Sequence, residues 1–560
     1  MQEADGLRRR KPLKEKNEEK EQNDRDVEDD AFDSSKSSWA PGTFWFTRIL
    51  FLRFLGFIYF TAFFVALQQN IPLIGKDGIL PASKHMLMYE NYFKNGVWQR
   101  LQACPTLLWF VDRNDIDWWL SAMAYAGLVI SAFLIAFGAS NIFMMFTLWV
   151  LYHSIVNVGQ TWYGFGWESQ LLETGFLAIF FCPLLNLKPY PKNTPTSKVV
   201  IYGYLWLIFR IMIGAGLIKI RGDKCWRDLT CMNYHYQTQP VPNPISYFLH
   251  QSPNVIHKLE TAGNHIIELI VPFFLILPRK LRMLAGASQI LFQVILVISG
   301  NLSFLNWLTI LPSICCFDDA SLSWMFSTKS KVEVSRIICM NDIESHRKKR
   351  SFSSKFRSFV NFLLFCLITY LSVPVVMNIL SSRQAMNRSF DSLRIVNTYG
   401  AFGSVTKTRT EVILQGTYDN NPNSDDAVWL EYEFKCKPGN ITRRPCIISP
   451  YHYRLDWLMW FAAFQNAESN PWFIRLIAKL LENDPNVTKL IENNPFANGK
   501  PPKFIRAEHY KYQFTKIGSN AARDGKWWRR KKIGSYLPPV NMKMLEAYLK
   551  SRGFDVPRLS

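Results

Sequence analysis

Nine apolar runs constrain this chain more than any other feature, at roughly residues 44–67, 118–137, 141–157, 167–185, 200–220, 259–277, 282–299, 304–317 and 358–380. A helix needs about 20 mostly apolar residues to cross the hydrocarbon of a bilayer. The spacing therefore predicts a multi-pass α-helical membrane protein of about nine spans, and excludes a chain of ordinary soluble domains. Two runs, 141–157 and 304–317, are short enough to be tilted or re-entrant.

Charge gives the direction. The chain carries 65 Lys and Arg against 44 Asp and Glu, a formal charge of +21. The basic residues flank apolar runs, the pattern of cytosolic loops, so no nucleic-acid partner is expected. Arg8-Arg9-Arg10, KPYPKNTPTSK (188–198), PRKLR (278–282) and SHRKKRSFSSKFR (345–357) all fall on the cytosolic side if nine spans follow a cytosolic N-terminus. Segments 68–117, 158–166, 221–258 and 300–303, with everything after 380, then lie outside. Residues 1–43 read as a disordered cytosolic tail, since the first 38 have too few large apolar side chains to offset the entropy of ordering. They lack the apolar core and cleavage site of a signal peptide. The implied organisation is a membrane region at 44–320, a basic cytosolic loop at 321–357, a last span at 358–380 and an outside region at 381–560.

Two further signals agree with that sidedness. Sequons at Asn387, Asn440 and Asn486 all fall after residue 380, where glycosylation is possible; Asn301 lies too near the membrane. Of ten cysteines, Cys225 and Cys231 bracket one short outside segment and Cys436 and Cys446 another. Both pairs are disulfide candidates in an oxidising compartment. Cys104 is outside without an obvious mate, and Cys182, Cys315, Cys316, Cys339 and Cys366 are expected to be unpaired.

Residues 381–560 read as an α+β domain with its own core. SVTKTRTEVILQGTYD and VWLEYEFKC alternate as strands joined by the turn-rich NNPNSDDA. Pro438-Gly439 then suggests a further turn, with Cys436 and Cys446 facing each other across strands. DWLMWFAAFQNA, WFIRLIAKLLEN and MKMLEAYLKSRG read as helices, the last closed by Gly553. The basic run from Lys526 to Lys532 is either a solvated face or a contact for anionic headgroups or an acidic partner.

YGFGWESQLLETGFLAIFF (163–181) places carboxylates where a span should begin, and charge at hydrocarbon depth needs a reason. Glu168 in the first helical turn would sit near water and the positive helix end. Glu173 lies about 9 Å below the start of the span near Trp167 and needs a partner. Arg210, His265 and Glu268 reach similar depth on neighbouring spans, so the four are expected to form one buried cluster, which either fixes helix packing or forms a site open to the outside face, the first being favoured. Lys219 would pair with Glu168 or Asp223.

Long stretches of the chain resemble the lipase maturation factor family: GFGWESQLLETGFLAIFFCP, GAGLIKIRGDKCWRDLTCMNYHYQTQPVPNPISYFLH, GNLSFLNWLTILPSICCFDDA, YRLDWLMWFAAF, NPFANGKPPKFIRAEHYKYQFT and GKWWRRKKIGSYLPP. The resemblance covers about residues 44 to 560. It implies a multi-pass endoplasmic-reticulum membrane protein, with its C-terminal region lumenal, that helps secreted homodimeric lipases fold, dimerise and leave the compartment, with or without other folding machinery. It also implies client contact through the 221–258 loop (Trp226, Arg227, Asp228, Tyr234, His235, Tyr236) and the C-terminal region (Arg454, Asp456, Trp457, Trp460, His509, Tyr510). No cofactor, metal or catalytic residue is expected. No Gly-rich phosphate loop, nucleophile elbow or CxxC pair appears. The alternatives are a membrane enzyme with Lys219 as base, since AGLIKIRGDKCW faintly resembles a carboxylase segment, and a transporter, which lacks matched interrupted helices.

Overall fold

The computed structural model describes residues 41–554 apart from 95, 193 and 347–351. The N-terminal tail with Arg8-Arg9-Arg10, and part of the 345–357 loop, lie outside the described residues.

The apolar runs form helices α1 (Trp45–Ile74), α3 (Ile116–Phe137), α4 (Ile142–Val158), α5 (Gly166–Ile179), α6 (Lys198–Arg221), α7 (Asn254–His265), α8 (Arg279–Ser299), α9 (Leu305–Ile314) and α11 (Phe352–Leu380). Between them lie α2 (Ala82–Tyr92), in the loop after α1, and α10 (Thr328–His346). Local chemistry sets their ends. Gly138 takes φ 61° as the left-handed cap of α3, and the Asn141 side chain accepts from Met144 N to start α4. α7 continues through one π turn at Ile266–Ile270 and a 3-10 turn at Val271–Ile276, a change of winding that coincides with Pro272, which has no N–H to give.

Six of these segments are long and apolar enough to cross a membrane: Trp45–Ile74, Arg113–Phe137, Lys198–Arg221, Asn254–Ile276, Arg279–Ser299 and Ser354–Leu380. The other three are shorter, at 17, 14 and 10 residues. The run expected to span at 167–185 is thus only a 14-residue helix ending at Ile179. That is about 21 Å at helical rise against a hydrocarbon core of about 30 Å. It does not cross alone.

All nine nevertheless alternate in direction, and their ends sort onto two faces. On one face, Gln69 at the end of α1 donates to His452 O at 2.8 Å, and Asp117 at the start of α3 accepts from Lys76 N at 2.7 Å. Asn157 ending α4, Ser299 ending α8 and Ser303 before α9 bond the same set of loops. At the opposite face, Asp319 accepts from Trp45 N and Phe46 N, Arg279 pairs with Asp318 at 2.6 Å, and Ser197 bonds Asn361. Of the six long segments α6 is the most buried, at 72% of its apolar stretch, and α11 the least, at 17%.

The C-terminal region packs onto the first face. Strands β1 (Arg409–Thr417), β2 (Leu430–Glu431), β5 (Phe504–Phe514) and β6 (Trp528–Val540) form an antiparallel sheet ordered β2-β1-β5-β6, with Val412 opposite His509. The expected β1–β2 hairpin is present. β3 (Glu433–Phe434) pairs instead with β4 (Ile491–Asn493), so Cys436 and Cys446 close a loop rather than face each other across strands. Helices α12 (Arg454–Ala462), α13 (Pro471–Leu481) and α14 (Met542–Ser551) follow the expected segments, and Gly553 takes φ 70° after the last. The boundary expected at 381 does not separate two cores. One hydrophobic core runs from Tyr152, Trp162 and Trp167 of the bundle into Trp457, Met459 and Trp472, with the Trp162 and Trp472 rings 5.5 Å apart.

Candidate functional site

α5 carries the polar groups that join the two regions. Glu168, in its first turn, is fully buried, not near water as expected. Its carboxylate takes Arg454 from the start of α12 at 2.7 Å, Trp167 Nε1 at 3.0 Å and the Tyr152 hydroxyl. The Arg454 guanidinium lies 3.5 Å above the Tyr163 ring and donates to Trp162 O at 2.7 Å. Its own backbone N–H is held by Gln69 Oε1 at 2.9 Å. A cation that the helix cannot supply locally thus arrives from 286 residues away.

One turn and a half further on, Glu173 pairs with Arg210 of α6. The same carboxylate accepts from Asn397 N at 3.0 Å, Asn397 Nδ2 at 3.1 Å and Tyr399 Oη at 2.7 Å, and Arg210 donates to Asn397 O at 2.8 Å. The third pair is Lys219 with Glu268, 2.6 Å, buttressed by Asn264 and by the Trp226 ring 4.9 Å away. The four-residue cluster expected from sequence is therefore divided. Arg210 and Lys219 stand nine residues apart on α6, about 14 Å along its axis, so each holds a different carboxylate. Lys219 meets neither Glu168 nor Asp223; Asp223 instead caps the short helix Lys224–Arg227. His265 leaves the cluster to bond Trp226 O at 3.0 Å.

A fourth network, unforeseen in sequence, lies under the sheet. Buried Arg409 and Lys437 share Glu411, and Arg409 also donates to the carbonyls of Gln237, Gln239 and Pro240 in the 221–258 loop. The only signal was a charged triplet in a strand, Arg409-Thr-Glu411, which alternation assigns to one face. Asp456 accepts from Cys436 N at 2.6 Å and Lys437 N at 3.1 Å, and burial pushes its carboxyl up to about 6. Burial likewise holds His235 neutral, down to about 4, and His452 well below its ordinary range.

Both candidate cysteine pairs are within disulfide reach, Cys225 and Cys231 with Cα atoms 4.8 Å apart and Cys436 and Cys446 at 5.7 Å. Burial pushes the unpaired Cys104 thiol up to about 12. Asn387, Asn440 and Asn486 are exposed, whereas Asn301 is buried and bonds Cys446 O and Ile448 N.

Of the residues implied for client contact, Trp226, Tyr236, Arg454, Asp456 and Trp457 are buried and hold the loop and region in place. They offer no surface to a partner. Arg227 and Asp228 are exposed, and Tyr234, His235, Trp460, His509 and Tyr510 are partly so. Beside Trp460, whose Nε1 bonds Thr238 O at 3.0 Å, the rings of Phe461 and Phe464 lie 4.8 and 4.7 Å away and are 37% and 41% exposed. A cleft of about 580 Å³ opens elsewhere on this face, between α2 (His85, Met88), Gln160, Trp472 and Arg552. Among the described residues, no three His, Cys, Asp or Glu side chains are grouped to hold a metal.

Residues 46–324 match the family model described as lipase maturation factor transmembrane domain, and residues 395–538 match lipase maturation factor C-terminal domain. Proteins named lipase maturation factor 1 from Homo sapiens and Mus musculus are 54% and 56% identical over 92% of this chain and 91% of their own. Lipase maturation factor 2 of Xenopus laevis is 31% identical over 88% of this chain and 82% of its own. No solved structure matches.

Proposed function

This chain belongs to the lipase maturation factor family, and from that premise we propose that it assists the folding, dimer assembly and export of secreted homodimeric lipases from within the endoplasmic-reticulum membrane. The observation that carries the reading is the 54–56% identity over nearly the whole chain to proteins named lipase maturation factor 1. It acts as a maturation factor rather than an enzyme. The competing reading, Lys219 as a base, finds no support: its ammonium is enclosed by Glu268, Asn264 and Trp226.

In this proposal the face carrying the C-terminal region is lumenal. Three features support it: the cysteine pairs and exposed sequons share that face, while the basic segments at 188–198 and 278–282 belong to the opposite one, as cytosolic loops do. Client contact is assigned to the accessible aromatic surface of Trp460, Phe461 and Phe464, with Arg227, Asp228, Tyr234, His235, His509 and Tyr510 as further contacts. Exposed aromatics on a rigid support are favourable for binding because little side-chain entropy is lost.

The test is complementation of cells lacking their own maturation factors, scoring secreted active lipase dimer. The wild-type chain should restore it. A Phe461→Ser, Phe464→Ser variant should fold to the same level and capture less newly made lipase. Wild-type chain that reaches the membrane intact and leaves secretion unchanged would overturn the function; normal capture by the variant would overturn the surface.

A further inference from the structure

The β5–β6 hairpin ends in a tip, residues 515–527, that neither the ionic networks nor the proposed client surface uses. Its place is fixed by the segment leading into the membrane helix at Asn254. Gln251 Oε1 accepts from Ile517 N at 2.6 Å and its Nε2 donates to Thr515 O at 3.3 Å. Tyr247 packs its ring 5.0 Å from Trp527 and 5.3 Å from Phe514. The tip is thus bonded to a residue three positions ahead of a helix long and apolar enough to cross a bilayer. That helix begins with Val255, Ile256 and Leu259 exposed, and Phe248 before it is also exposed, as expected of side chains facing lipid.

The tip has the chemistry of a headgroup contact. Lys516 and Arg523 are exposed, and the 40% exposed Lys526 side chain lies 3.4 Å from the carboxylate of Asp524, the single acidic side chain among residues 515–527. Arg529 continues the basic run along β6. Ile517, next to Lys516 in the same tip, is 56% exposed. Exposed cations around an exposed apolar side chain, held at the level where a membrane helix starts, form an interfacial anchor.

We propose that the 515–527 tip rests on the surface of the bilayer on its own side, with Lys516, Arg523 and Lys526 bound to anionic phospholipid headgroups and Ile517 entering the interface. This goes beyond the maturation role and does not depend on it. It resolves the basic run left open by the sequence: the near end contacts lipid, while Arg530 and Lys532 are taken up by Glu431 and Glu508.

The experiment uses the full chain in nanodiscs, with Cys339→Ser and Cys366→Ser, and a fluorophore on Ile517→Cys or, as control, on Val428→Cys, which is 64% exposed in the β1–β2 loop. Lipids carrying a nitroxide in the headgroup region serve as quencher, in phosphatidylcholine discs with or without phosphatidylserine. Quenching at 517 well above that at 428, and rising with phosphatidylserine, is expected. In K516E, R523E and K526E each reversal should lower the docked-to-free ratio by about fivefold or more. Equal quenching at 517 and 428 overturns the proposal, as does shielding of 517 that appears only when a soluble lipase is added.

Discussion

Replacing Glu173 by Gln, alone and together with Arg210→Gln, tests whether the ion pairs under the C-terminal region hold it to the bundle. Both side chains are 1% exposed. Glutamine keeps the volume and one acceptor oxygen but leaves the Arg210 guanidinium buried without a counter-charge, a change that costs about 3–5 kcal/mol. Arg210→Gln leaves the carboxylate uncompensated, though Asn397 and Tyr399 still donate three bonds to it, so this single change should be the milder. The double variant has no buried charge. Its remaining deficit is the weakening of hydrogen bonds to Asn397 and Tyr399, about 0.5–1.5 kcal/mol each. With three such bonds, it should therefore recover about 1 kcal/mol relative to Glu173→Gln. Thermal inactivation in detergent, followed by the monodisperse peak in size-exclusion chromatography, gives the ranking. A double variant no more stable than the worse single one would refute the pairing as the source of the stability.

Asp456, raised from the ordinary carboxylate range to about 6 by burial, binds its proton more tightly folded than unfolded. Its contribution is present below about pH 4 and is lost as pH rises to about 6, about 3 kcal/mol in all. Asp456→Asn keeps an acceptor for Cys436 N and Lys437 N, and should flatten that slope and melt higher than wild type above pH 6. Opening either disulfide, by Cys225→Ser or Cys436→Ser, frees a loop with a sequence separation of 6 or 10 residues, a loss of about 2–3 kcal/mol in chain entropy; an unchanged melting temperature on reduction would show the thiols unpaired. Asn440→Gln and Asn486→Gln should each remove one endoglycosidase-sensitive step in gel mobility. Asn301→Gln should remove none, because its carboxamide is buried among bonds to residues 446–449.

Helices were legible wherever one period dominated: α1, α3, α6, α8 and α11 are long apolar runs whose ends carry visible breakers such as Gly138 and Pro278. The sheet was half legible. β1 and β2 alternate and are joined by turn residues, but β5 (FIRAEHYKYQF) mixes charges into a buried centre, and β6 (WRRKKIGSYLPPV) is an edge strand whose exposed basic residues hide its period. The pairing of Glu173 with Arg210 could be reached from depth along neighbouring helices. That of Glu168 with Arg454 could not, since nothing local in RLDWLMW signals that its arginine leaves the sheet region to enter the bundle. Equally, the resemblance implied client contact at Trp226 and Trp457 without separating core from surface, and both are buried.

The carboxylates of α5 make sense only once the C-terminal region is in place. Glu168 has its cation from residue 454, and Glu173 has three of its four hydrogen-bond donors from residues 397 and 399. Before those residues are made, the bundle holds one buried charge without a partner and a second that is underbonded, and unpaired buried charge is expensive. The bundle is therefore less stable until those residues are made, and the C-terminal region acts as its closing element in addition to carrying the proposed client surface. A chain cut at residue 380 would lose activity whether or not the missing part touches a client. Loss of function on truncation then carries no information about where a lipase binds. Only substitutions on the exposed side, at positions such as Phe461 and Phe464 that leave Arg454, Asn397 and Tyr399 untouched, separate the two roles.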